Sequence, residues 1–369
     1  MKLYLTGQPS YQERHCYFVE GNHISFLVDC GYQRRYPGEE CPHLSIEQIR
    51  SASYLFLTHS HENQSGALPY LFSNGFSGKI VLTTETCRQL PFVIDDPQIL
   101  EAFSVPGDSF MLPGGLSVTW GRSGHCSGSV WYRFEEKGQS LFFSGDYYGS
   151  ARVHACDPIK DMQADLAVLD CDYGPDADVG RADHVAQLIS SISDALSDGR
   201  PVLLPVPKFG RGMGILTYLS EHFPYTDIFA DTHFIRELGH LDASALWVRS
   251  DFQDILNAVY VRSIPETFVA LGIYFISDPQ LDTWEARQIT QRLMECGGRI
   301  FFTGTVEPNS FASLMLNSGQ ADMIRYNVHC TQENMLEIAA QNHFNKIIAY
   351  NSDFAPDRPM YDIAKFHTA

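Results

Sequence analysis

Residues able to do chemistry gather first in Thr58-His59-Ser60-His61-Glu62-Asn63-Gln64-Ser65-Gly66. Two histidines two residues apart at the end of a strand can turn both imidazoles toward one ion, because side chains at i and i+2 share a face. Imidazole is a good zinc ligand, and a neutral amide is a poor one. The next positions, where a carboxylate and a third imidazole would complete a two-metal site, hold Asn63 and Gln64. Glu62 is out of phase with the His59/His61 face and is assigned no role.

His125 and Asp146 supply what the pair lacks. Each of the four follows an apolar run that ends in a polar or glycine-rich turn: residues 54–57 before His59 and His61, 116–120 before His125, 140–144 before Asp146. They belong together on one rim of a sheet. Three imidazoles and one carboxylate match a catalytic zinc site, in which bound water loses a proton near neutral pH. A lone His or Asp at a strand end more often caps a turn; four in the same context favour the metal.

The elements that must position these residues follow two rhythms. Short apolar runs at 3–5, 16–20, 24–29, 54–58, 79–83, 116–120, 129–134, 140–144 and 166–169 read as strands, the first of them antiparallel. A short helix begins at Ser45 as N-cap. Beyond Gly174 helix and strand alternate. Helices are expected over 183–198, 215–221 and 283–296, with strands over 201–206, 268–277 and 299–304, as a βαβ-like layered unit. A helix over 331–340 and a strand over 346–350 close the chain.

Composition bounds the rest. With 369 residues, 44% of them hydrophobic, the chain buries a large core in two domains or one with a big insertion. No apolar run approaches a membrane span, and the start has no signal-peptide core. Nine cysteines without paired spacing fit free thiols in a reducing cytoplasm. A net charge of −18 disfavours non-specific coating of nucleic acid and leaves room for a narrow basic groove.

Asp29-Cys30-Gly31, Thr58-His59-Ser60-His61, Gly124-His125-Cys126-Ser127-Gly128-Ser129 and Ser144-Gly145-Asp146 follow the order of motifs in the metallo-β-lactamase superfamily. Asp170-Cys171-Asp172-Tyr173-Gly174, the strand and turn from Pro201 to Gly212, and Asn327-Val328-His329-Cys330 resemble the extra motifs of its β-CASP branch, which includes ribonuclease J, the cleavage and polyadenylation nuclease and the Artemis group. The resemblance implies a four-layer αββα fold over 1–175 and 328–369, with a β-CASP-like α/β domain inserted over 176–327. It implies a zinc-dependent nuclease in which His59, His61, His125 and Asp146 hold metal while Asp170 and His329 transfer protons; Asp172 is the alternative carboxylate. Lys208 and Arg211 could meet a phosphate at the Gly-rich turn, and Arg122 is the remaining base near the motifs. Tyr147, Tyr148 and Tyr173 could stack on bases or belong to the core.

The departures form a pattern. The second-metal positions are Asn63, Gln64 and Asn351, all amides, whereas the first-metal ligands are intact. Undirected decay would strike both sites. The expectation is one zinc per chain acting on RNA or DNA. The alternatives are a degenerate scaffold paired with a metal-complete homologue, a homo-oligomer among the assemblies, or a small-molecule metallo-hydrolase.

Overall fold

The computed structural model describes residues 1–7, 14–34, 37–172, 181–243, 246–267, 269–350 and 358–367. The chain divides into two compact units. One comprises Met1–Ser150, Cys156–Ala177 and His329–Ala369, the other Ala151–Ala155 and Asp178–Val328.

In chain order the strands are β1 (Lys2–Leu5), β2 (Cys16–Glu20), β3 (Ser25–Cys30), β4 (Ala52–Phe56), β5 (Lys79–Leu82), β6 (Gln98–Ile99), β7 (Ser109–Leu112), β8 (Leu116–Arg122), β9 (Val130–Glu136), β10 (Gln139–Phe143), β11 (Gln163–Ala164) and β12 (Leu166–Asp170). The second unit holds β13 (Val202–Pro205), β14 (Ile228–Ala230), β15 (Val261–Ser263), β16 (Ile273–Ile276), β17 (Arg299–Phe302) and β18 (Asp322–Met323). The chain then returns with β19 (His343–Phe344), β20 (Ile347–Tyr350) and β21 (Met360–Asp362).

Two mixed sheets form the first unit, one ordered β21-β1-β2-β3-β4-β5-β6 and the other β20-β12-β10-β9-β8-β7. The start is antiparallel through β1, β2 and β3, then parallel from β3 to β6. The sheets face each other through aromatic pairs: Phe26 on Phe134, Phe56 on Tyr132, Tyr17 on Phe143. Ile49, Leu68, Leu71 and Leu90, from the helices Ile46–Ser51 and Leu68–Ser73 and the end of Thr84–Gln89, cover the outer face of the first sheet. Met335 and Ile338 of the helix Gln332–Ala340 pack with Trp131 and Phe142 outside the second. Helix, sheet, sheet, helix is the four-layer order the resemblance implies.

The second unit is one parallel sheet, β15-β14-β16-β13-β17-β18. Helices cover both faces. Arg181–Ser197, Arg211–His222, Thr232–Ala243 and Ser250–Ala258 share one core, Trp284–Glu295 and Phe311–Asn317 the other. The strand expected over 268–277 is shorter, because the Tyr274 hydroxyl bonds both the N–H and the C=O of Ala270 and bends the approach to β16 into a turn.

Candidate metal centre

Every residue of the centre belongs to the first unit and follows the carboxyl end of a strand or starts a helix. His59 follows β4, His125 follows β8, Asp146 follows β10, and Asp170 ends β12. His61 is the N-cap of the helix Glu62–Ser65. Buried hydrogen bonds fix these turns. Asp29, at the end of β3 with φ 55, accepts from Thr58 N and Thr58 Oγ1, each at 2.8 Å. Asp tolerates that left-handed conformation better than most residues. The helix Thr84–Gln89 clamps the His125 loop: Thr83 Oγ1 and Thr86 Oγ1 donate to Gly128 O, and Gln89 Nε2 donates to Ser127 O. Gln89 Oε1 also accepts from Ser60 Oγ, so one helix holds both imidazole-bearing loops. At Gly145, with φ 56, a Cβ would collide with Val130 O, so only glycine lets Asp146 turn in.

The ligand atoms converge. His61 Nδ1 lies 3.1 Å from His59 Nε2 and 3.2 Å from His125 Nε2. Asp146 Oδ2 is 3.4 Å from His59 Nε2 and 3.7 Å from His125 Nε2. All four groups fall within 4.8 Å of one another. A tetrahedral zinc with bonds of about 2.1 Å has ligand–ligand edges of roughly 3.4 Å. The donor set and its spacing therefore fit one such ion, and buried His59 is pushed well below the ordinary imidazole range by burial and then by His61, which leaves it neutral and ready to ligate.

Asp146 has further partners. Gln64 Nε2 donates to Oδ1 at 3.2 Å and Oδ2 at 3.3 Å, and the Tyr350 hydroxyl donates to Oδ1 at 3.1 Å. Burial, outweighing the nearby His329, lifts the Asp146 carboxyl to about 7. Behind it lies a cavity of about 10 Å³ lined by His15, Tyr17, Asp29, Gln64 and Tyr350 among others, room for roughly one water. One imidazole and one carboxylate already bonded to Thr58, beside an amide and two phenols, fall short of the three protein ligands a catalytic zinc site uses. The backbone carbonyl of Asn63 accepts from His15 N, while Asn351 lies outside the described residues.

His329 Nδ1 sits 3.0 Å from Asp170 Oδ2 and 4.0 Å from Asp146 Oδ2, and its ring centroid is 4.6 Å from that of His125. Asp172 Oδ2 is 4.0 Å from Nε2. Burial pulls the His329 imidazole down, but Asp170, Asp172 and Asp146 outweigh it and raise it to about 9. Asp170 also accepts from Tyr147 N and Asp172 N, which orient its carboxylate.

The other singled-out residues lie as follows. Glu62 points away, paired with Arg34 at 2.7 Å. Arg122 is held by Asp157 through Nε and Nη2. Tyr147 and Tyr148 are buried, so they belong to the core; Tyr173 and Gly174 lie outside the described residues. Lys208 is exposed and Arg211 buried, both in the second unit. Sequence reasoning missed Gln64 and Tyr350 as partners of Asp146; the signal for Tyr350 was its place beside Asn351.

No protein-family model matches the chain. Curated relatives do. Ribonuclease TTHA0252 of Thermus thermophilus is 26% identical over 226 residues, 56% of this chain and 52% of that protein. Endoribonuclease ysh1 of Schizosaccharomyces pombe is 24% identical over 234 residues, 57% of this chain and 31% of that protein. Transcription termination factor FttA of Methanothermobacter thermautotrophicus is 22% identical over 253 residues, 59% and 39% of the two chains. The chain is related to the β-CASP metallo-β-lactamase proteins. It spans about half the length of the first of these β-CASP relatives and less of the others. Among the described residues no helix is long and apolar enough to cross a membrane.

Proposed function

We propose that the protein is a metal-dependent hydrolase of the β-CASP type that cleaves nucleic-acid phosphodiester bonds, in RNA or DNA, with a single zinc ion per chain. The observation that carries this reading is the convergence of His59, His61, His125 and Asp146 on one point, with Gln64 rather than a second ligand against Asp146. Relatives named ribonuclease and endoribonuclease support the substrate class.

Zinc held by these four residues would polarise a phosphoryl oxygen and lower the pKa of water. The chain's own groups do the rest. His329, kept protonated by Asp170, faces that centre as a general acid for the leaving oxygen. Asp170 orients the ring through Nδ1, and Asp172 Oδ2 lies 4.0 Å from Nε2. Lys208 and Arg211 are the candidate phosphate contacts of the second unit, which we read as the β-CASP-like insertion. A reducing compartment such as the cytoplasm suits the nine free cysteines.

Metal analysis of the purified chain should find close to one zinc, lost in Asp146→Ala; a metal-free wild type would sink the proposal. Cleavage of single- and double-stranded RNA and DNA should vanish in Asp146→Ala, and activity surviving there would overturn the site. His329→Asn should keep its zinc and lose about 10²–10⁴ in rate.

The Gln64 amide on Asp146 also favours a second reading, a scaffold beside a metal-complete homologue. It predicts stable co-purification with such a partner and no cleavage by this chain alone. One zinc with neither nucleic-acid cleavage nor a partner would leave a small-molecule hydrolase.

A further inference from the structure

The second unit buries a cation that no carboxylate neutralises among the described residues. Arg211, the first residue of the helix Arg211–His222, is 8% exposed. Its Nε has no hydrogen-bond partner, and among the described residues no carboxylate pairs with it. Its guanidinium is packed against Gly304, where a Cβ would collide with Nη1 and Cζ. A guanidinium stays charged in proteins, and a buried ion without a counter-charge is strongly destabilising. Either a ligand completes such a group or an apolar side chain in its place stabilises the fold with nothing lost, and the two cases are separable.

The position of Arg211 argues for a ligand. β13 and β17 are parallel neighbours, Leu203 opposite Ile300, so the segments after Pro205 and Phe302 leave the sheet side by side. From β13 the chain crosses through the helix Arg211–His222 to β14 on one side; from β17 it crosses through Phe311–Asn317 to β18 on the other. Neighbouring strands whose connections part in opposite directions open a crevice at their carboxyl ends, where α/β sheets take ligands. Arg211 and Gly304 meet at this point. Thr303, the residue before Gly304, is 1% exposed, and its Oγ1 has no partner. Gly210, with φ 90, carries no side chain to cap the helix; Met213 N donates to Gly210 O, and the N–H groups of Arg211 and Gly212 with the helix dipole favour an anion there. Lys208 stands exposed in the same turn.

We propose that this crevice binds an oxyanion of the phosphate class, with the Arg211 fork, the N–H groups of Arg211 and Gly212 and the Thr303 hydroxyl as its donors. The site deepens the phosphate contact proposed above for Arg211, but its binding can be tested apart from hydrolysis, since its residues and the candidate metal ligands belong to different units. The phosphate could come from a nucleotide monoester or from an internal phosphodiester of a nucleic acid.

The test uses the full chain in inorganic phosphate against chloride at matched ionic strength, read by thermal unfolding and titration calorimetry. Wild type should show a saturable rise in Tm. Arg211→Met should lose that rise while matching or exceeding wild-type Tm in chloride, because an apolar side chain relieves the unpaired ion. Thr303→Val, the fallback should Arg211→Met misfold, should weaken phosphate by about tenfold. His59→Ala, which disables the metal centre, should respond like wild type. An equal response in Arg211→Met, no response in wild type, or a response lost in His59→Ala overturns the proposal. Competition by adenosine monophosphate identifies a monoester ligand, and competition by an oligonucleotide without terminal phosphates identifies a backbone diester.

Discussion

Asp146 has two oxygens and four claims on them: the point shared with the three imidazoles, the Gln64 amide, the Tyr350 hydroxyl and the charge of His329. The amide and the phenol aim the carboxylate and give it charge-assisted hydrogen bonds, the role that outer partners play around metal ligands generally. Gln64→Leu and Tyr350→Phe should therefore weaken zinc by about 10–100-fold each, measured by competition with a chromogenic chelator. Unchanged affinity in both would show that Asp146 needs no support. The gathering of His59, His61, His125 and Asp146 could be anticipated, because each follows an apolar run, and so could the amides at Asn63 and Gln64. What replaced that chemistry was not. Periodicity says which face a side chain occupies, but Gln64 and Asp146 are 82 residues apart, and only the folded chain shows them touching.

Among the elements, β3, β4 and the helix Thr84–Gln89 set the precision of the centre. Thr58 contributes both its N–H and its hydroxyl to Asp29, one residue before His59. Burial pushes the Asp29 carboxyl well above the ordinary range, with the Thr58 bonds opposing it. Thr58→Val removes one of those bonds and leaves a buried oxygen short of a donor, at a cost of about 1–3 kcal/mol in urea unfolding. A loss well below 1 kcal/mol would mean that another group takes over. Strand positions could be read from apolar runs with their turns; the short helix clamping both imidazole loops could not. Thr84–Gln89 is six residues long and mixed in polarity, so it has no periodic face to betray it. The shortened β16 escaped for the opposite reason, since its apolar run continues into a turn held by Tyr274.

For the molecule as a whole, acid should be a weakness of the second unit. His154 is buried, accepts no partner at Nδ1 and reaches only Gly210 O at 3.4 Å through Nε2. Burial, with that carbonyl opposing, lowers its imidazole to about 4 from an ordinary 6.5. As pH falls the unfolded chain takes up a proton first, so this contribution is complete above about pH 6.5 and is lost toward pH 4. The difference corresponds to roughly 3 kcal/mol. In urea unfolding between pH 7 and 4.5, His154→Gln should show a shallower loss of stability than wild type; parallel slopes would contradict the assignment. The two-unit division could be suspected from the change of rhythm after Gly174, whereas the membership of Ala151–Ala155 in the second unit rests on contacts such as the bridge between His154 and Val248.

That division also sets a clock. The four candidate metal ligands and Asp170 all precede Asp178–Val328, the long segment of the second unit, while His329 and Tyr350 follow it, and His329 stands 159 residues after Asp170. At about 5–20 residues per second, a ribosome needs roughly 8 to 30 s to cross that interval. During it, the nascent chain would own the groups proposed to hold the metal and lack the imidazole proposed to pass protons. The strands β20 and β21, which complete both sheets, and Tyr350, which bonds Asp146, also follow the interval, so the candidate ligands would wait on the same return of the chain that brings His329.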